Sequence, residues 1–141
     1  MSDTTLATTR DESLRASLLI AYGLYLLALV SGGFTALVGV ILVYARRDEA
    51  RGTVWQSHCR NLLWVFWLAV VATVVFTAAV LEGAGTLLFS LFHTEGNPPP
   101  ELVGGLVALV PLLGLFAVVV TVFYLYRTVR GFIHAIDGRP Y

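Results

Sequence analysis

Polarity along this chain changes in long blocks rather than residue by residue. Residues 1–15 are polar and rich in Ser and Thr. An uncharged apolar run then extends from Ala16 to Ala45, a charged stretch occupies 46–60, and a second apolar run covers Leu62 to Leu81. A polar connection at 82–101 leads to a third apolar run, Leu102 to Tyr126. Apolar runs of this length and purity predict membrane-spanning helices, because about 20 apolar residues cover a hydrocarbon core of about 30 Å. The expected fold class is therefore all-α: a small bundle of three transmembrane helices over 16–45, 62–81 and 102–126. Residues 1–15 are expected to form a flexible tail and 16–141 a single helical domain.

The first run differs from the others. As one helix it would measure about 45 Å, more than a bilayer core needs. Ser31-Gly32-Gly33 stands at its centre. A tilted or kinked crossing is the favoured expectation, with a re-entrant hairpin as the alternative; each half alone is too short to cross. Thr53 and Gln56 have the spacing of a capping box ahead of the second run. Thr86 to Phe92 either lies in the interface or extends that helix, and the prolines at 98–100 mark a turn. Pro111 and Gly114 are expected to kink the third span. Beyond it, Val129, Phe132, Ile133 and Ile136 recur at helical spacing opposite Arg127, Arg130, His134 and Asp137, which predicts an amphipathic interfacial helix over 127–137.

Composition strengthens the membrane reading. The chain has 141 residues, of which 57% are hydrophobic and 13% charged, about half the charge of an ordinary soluble domain. No strongly basic region exists to attract nucleic acid. The N-terminus lacks the basic start and short apolar core of a cleaved signal, so the first segment is expected to be retained. Charge sets a direction. Arg46, Arg47, Arg51 and Arg60 lie in one loop and Arg127, Arg130 and Arg139 in the tail, whereas 82–101 has no Arg. The positive-inside rule puts the first two in the cytoplasm and the third outside. Tyr44, Trp55, Trp64, Tyr124 and Tyr126 are expected to form the inner aromatic belt. The bacterial inner membrane is the expected location.

Candidate chemistry is sparse. Arg46, Arg47, Arg51, His58 and Arg60 could contact a lipid headgroup or an acidic partner surface; a purely topological role accounts for the same arginines. His58-Cys59 points its side chains about 100° apart on a helix, and Cys59 is the sole cysteine, so no metal site or other cofactor is expected. The spans hold no charged residue of the kind that couples transport to protons. No paired carboxylates, nucleophile arrangement or phosphate-binding glycine loop suggests an enzyme. Gly32, Gly33, Gly39 and Gly104 fall in small-residue patterns that allow close helix packing, within one chain or in a homo-oligomer.

The motifs Tyr22-x-x-Tyr25, Gly32-Gly33-Phe-Thr-Ala-Leu-x-Gly39-Val, Tyr44-x-Arg-Arg-Asp-Glu-Ala-Arg-Gly-Thr53, Ser57-His58-x-Arg60 and Asp137-Gly-Arg-Pro-Tyr141 resemble small bacterial membrane proteins grouped as domain of unknown function 4870. That family is distantly similar to the twenty-kilodalton subunit of the chloroplast inner-envelope translocon. The resemblance covers roughly 20–141 and implies a helical membrane fold. It hints at an accessory role in protein transport and carries over no catalytic residue. The function expected from the sequence is a non-enzymatic accessory or scaffold protein whose partners are membrane lipid and either itself or another membrane protein. The alternatives are an oligomeric channel or transporter lined by Tyr22, Tyr25, Ser31 and Thr35, and, more remotely, a lipid-acting enzyme using His58.

Overall fold

A computed structural model describes residues 2–93 and 99–141, with side chains from residue 8 onward. Four helices follow one another: α1 (Ser2–Ala28), α2 (Phe34–Arg46), α3 (Trp55–His93) and α4 (Pro100–Ile136). Two compact units result. The first combines 1–68 with 124–141, and the second is 69–123.

In the first unit the 16–45 run is not one span. It breaks after Ala28 and resumes at Phe34. Gly32 (φ 66°) and Gly33 (φ 94°) take left-handed conformations there, which cost a Cβ-bearing residue steric energy. The Gly33 N–H returns to the Ala28 carbonyl at 2.8 Å, closing α1. Thr35 Oγ1 donates to the Leu24 carbonyl at 2.8 Å and lies 2.9 Å from Ser31 Oγ. The kinked crossing favoured by the sequence is therefore replaced by its alternative, a helical hairpin. Gly39 explains the close approach. A Cβ there would sit 2.9 Å from the Tyr25 ring.

Residues 2–15, expected as a tail, belong to α1. Trp55, expected in an aromatic belt, is buried and donates its indole N–H to Asp11. Arg10 donates to the Glu49 carbonyl and Arg15 to the Ile136 carbonyl. The start of the chain thus joins the 46–60 loop and the end of α4. The core of this unit is Leu14, Leu18, Ala21, Tyr22, Tyr25, Val43, Trp55, Leu62 and Val65, with Ala135 from α4. Tyr25 donates to the Leu62 carbonyl at 3.1 Å, and Tyr124 to the Tyr25 carbonyl at 2.8 Å.

The expected capping box does not form as drawn. Gln56 does reach back, but to the Gly52 N–H at 3.1 Å, while the Thr53 hydroxyl donates to the Ala50 carbonyl. The 86–92 patch extends α3, Pro100 opens α4, and 127–136 is the last part of α4 rather than a separate helix. The face this last part buries overlaps the apolar one only at Phe132, which packs partly covered against the core. Thr128, Gly131 and Ala135 are buried, whereas Val129, Ile133 and Ile136 are exposed. A Cβ at Gly131 would lie 2.5 Å from the Tyr22 hydroxyl, so only glycine admits Tyr22 there.

The second unit is an antiparallel pair formed by 69–93 of α3 and 100–123 of α4. On α3 the partly covered positions that follow one seam are Ala69, Ala72, Phe76, Ala79, Gly83 and Leu87. On α4 they are Leu102, Leu106, Leu109, Leu113, Ala117 and Val120. Steps of three and four keep each set on one seam. Small residues of α3 face leucines of α4, and a Cβ on Gly83 would come within 3.3 Å of Leu106. A Cβ on Gly104 would meet open space within this chain. α3 and α4 are long and apolar enough to cross a membrane, and only 11% and 0% of their most apolar windows is buried. The turn expected around Gly96 and Asn97 lies outside the described residues.

Candidate functional site

The arginines of the 46–60 segment have two kinds of surroundings, and Arg51 has both. Arg46 pairs with Glu49 at 2.7 Å and Arg51 with Asp48 at 3.1 Å, each three residues on. Such exposed pairs contribute little stability. Arg47, Arg51 and Arg60 line an open groove of about 630 Å³, with Tyr44 and Trp67 on its rim. The Trp67 indole donates to the Tyr44 hydroxyl at 3.2 Å.

His58, grouped with these arginines from the sequence, is elsewhere. It is fully buried and looks into the first unit. Its Nε2 is 2.8 Å from the Arg139 carbonyl. A carbonyl only accepts, so the ring proton sits on Nε2. Nδ1 is then an acceptor, and the Tyr22 hydroxyl, 3.1 Å away, donates to it. The Tyr22 oxygen in turn accepts from Asn61 Nδ2 at 3.3 Å, and Asn61 Oδ1 accepts from Arg127 Nε at 3.0 Å. Every bond in this series runs the same way, from Arg127 to Arg139. Burial holds the His58 pKa below its ordinary value. The Arg139 carbonyl partly opposes that shift, and the charge of His134 adds to it. The neutral ring is the form this series needs.

Arg127 is fixed from several sides. Its guanidinium lies over the Trp64 ring at 4.4 Å and near the Tyr141 ring at 5.4 Å. The Tyr141 N–H donates to Ser57 Oγ at 3.0 Å, bringing the end of the chain over α3. Arg60, Arg127 and Arg130 line a second groove of about 390 Å³, together with Asn61, Trp64, His134 and Tyr141. Cys59 is buried, and burial raises its thiol to about 11.

Of the residues expected at a contact site, Arg47, Arg51 and Arg60 come together, Arg46 is tied to Glu49 and His58 is internal. Asn61, Arg127 and Tyr22 were not singled out for this role. Their bonds connect positions 36 to 66 residues apart, and no local spacing announces that. The Tyr22 and Tyr25 hydroxyls are likewise committed to internal bonds. Among the described residues no group of three or more His, Cys, Asp or Glu could hold a metal ion.

No protein family, curated protein or solved structure matches this chain.

Proposed function

We propose that this chain is an integral membrane protein that acts by binding rather than by catalysis. The α3–α4 pair over 69–123 crosses the bilayer, and the α1–α2 hairpin enters it without crossing. The observation that carries this reading is outward apolarity. Val71, Val74, Val75, Val107, Val110, Leu112, Val118 and Val122 are all more than half exposed, and no soluble domain leaves so continuous an apolar surface in water. The hairpin supports the same reading: Val30 is 87% and Phe34 75% exposed at its tip.

The reading also removes a conflict of charge. Three crossings would put the N-terminus opposite the 46–60 loop. Two crossings and a hairpin leave Arg10 and Arg15 on the side of that loop and of the C-terminal arginines, as the positive-inside rule prefers. The proposed location is the bacterial inner membrane, with that side cytoplasmic and the connection between α3 and α4 outside. The role proposed is an accessory one, in which the polar unit meets lipid headgroups or a partner protein.

Membrane fractionation and topology reporters test the proposal. The chain should resist carbonate extraction. Reporters before residue 8 and after residue 50 should both read cytoplasmic, and one after residue 96 should read external. Opposite signals at the first two sites would restore three crossings.

A further inference from the structure

We propose that the groove between Arg60, Arg127 and Arg130 binds the phosphate of an anionic lipid headgroup. The inference rests on the membrane reading above but uses residues which that reading does not need. Arg60, Arg127 and Arg130 all line a groove of about 390 Å³, and no Asp or Glu side chain lines it. Among the described residues neither Arg60 nor Arg130 has an ion pair. Like charges gathered along one groove repel one another, and an anion held between them removes that cost.

The groove is built rather than merely charged. The Asn61 bond to Nε and the Trp64 ring fix the plane of Arg127. A guanidinium held in this way loses little rotamer entropy on meeting a phosphate, and its planar fork matches phosphate oxygens. Arg130 is steadied by the Tyr126 hydroxyl at 3.0 Å. On the same lining, His134 Nδ1 is buried with no hydrogen-bond partner.

Lipid is favoured over a soluble phosphate by what adjoins the groove. Tyr126, Val129 and Ile133 form an exposed apolar strip that reaches Arg130 and His134. An acyl chain can follow that strip while its phosphate meets the arginines. A free phosphate has no use for it.

The test uses the full chain in a maltoside detergent, which carries no phosphate. Native mass spectrometry reads retention of short-chain phosphatidylglycerol, with diacylglycerol and inorganic phosphate as the other probes. One phosphatidylglycerol should stay bound and diacylglycerol should not. The Arg60→Gln/Arg130→Gln double variant changes exposed side chains and should weaken retention at least tenfold. The charge-matched Arg10→Gln/Arg139→Gln variant should retain lipid like the parent. Equal loss in both variants would reduce the effect to general charge and overturn the site. Inorganic phosphate competing at the lipid's own concentration would overturn the lipid assignment. A chain that extracts with carbonate would remove the membrane reading itself, whereas a chain that stays in the membrane yet retains no phosphatidylglycerol would remove only this inference.

Discussion

Tyr22 and His58 meet at 3.1 Å, phenol oxygen to Nδ1, with both side chains fully buried. The direction of that bond is imposed from the far side of the ring, where Nε2 faces the Arg139 carbonyl. Adding a proton to Nδ1 would turn an acceptor into a donor. Tyr22 would then receive two donors, Nδ1 and Asn61, and its own proton would lose its acceptor.

The first unit should accordingly lose stability in mild acid. The His58 pKa is lower in the fold than its ordinary 6.5, so the unfolded chain takes up the proton first. Stability is complete above that ordinary value and falls as the pH drops through it. The slope is at most about 1.4 kcal/mol per pH unit until the folded value is reached. Thermal unfolding in detergent between about pH 5 and about pH 8 measures it. A His58→Gln variant should flatten the profile; an unchanged profile would separate the pH response from His58.

Glycines divide into those that pack and those that do not. Gly131→Ala would drive a methyl group into the Tyr22 hydroxyl, and Gly39→Ala would drive one into the Tyr25 ring. Each should cost about 1–3 kcal/mol by overpacking. Gly104→Ala meets nothing and should be neutral or stabilising by up to about 1 kcal/mol through helix propensity. Denaturation midpoints of the three variants check this order.

Asn61 joins Arg127 to the interior. Asn61→Leu keeps the volume but removes both partners. It should destabilise the first unit by about 1–3 kcal/mol, the cost of leaving buried polar groups unpaired. It should also free the Arg127 side chain to reorient, seen as a change in Trp64 fluorescence. Stability and fluorescence identical to the parent would show that the Arg127–Asn61 bond carries no weight.

Cys59 should resist thiol reagents. With its pKa near 11, only about one thiol in a thousand is ionised at pH 8, and the sulfur is buried. Labelling by a water-soluble maleimide should be slow in the folded protein and rapid after denaturation. Fast labelling of the folded protein would place Cys59 at the surface.

What the sequence makes legible here is composition over distance. The apolar runs at 62–81 and 102–126 lie within α3 and α4 because length and purity are properties of a contiguous stretch. The break at Ser31-Gly32-Gly33 was visible for the same reason. Its outcome was not, because folding back depends on Gly39 admitting the Tyr25 ring, a contact across the turn. The pairing of Arg46 with Glu49 and Arg51 with Asp48 is local, whereas the partners of His58 come from α1 and from the end of the chain. The apolar positions 129, 132, 133 and 136 marked one face of α4, yet of these only Phe132 packs against the core, beside the buried Thr128, Gly131 and Ala135. Tyr22 needed the bare backbone of Gly131 more than the unit needed three further aliphatic side chains.

The bonds running from Arg127 through Asn61, Tyr22 and His58 to Arg139 all point one way. That uniform direction restricts how the protein can change over generations. A single replacement anywhere inside the series leaves a donor facing a donor, or an acceptor facing nothing. Descendants can depart from it only through coupled substitutions that reverse or delete neighbouring members together. The four positions that act through side chains, Tyr22, His58, Asn61 and Arg127, should therefore be inherited as a block, even though they are scattered over more than a hundred residues of chain.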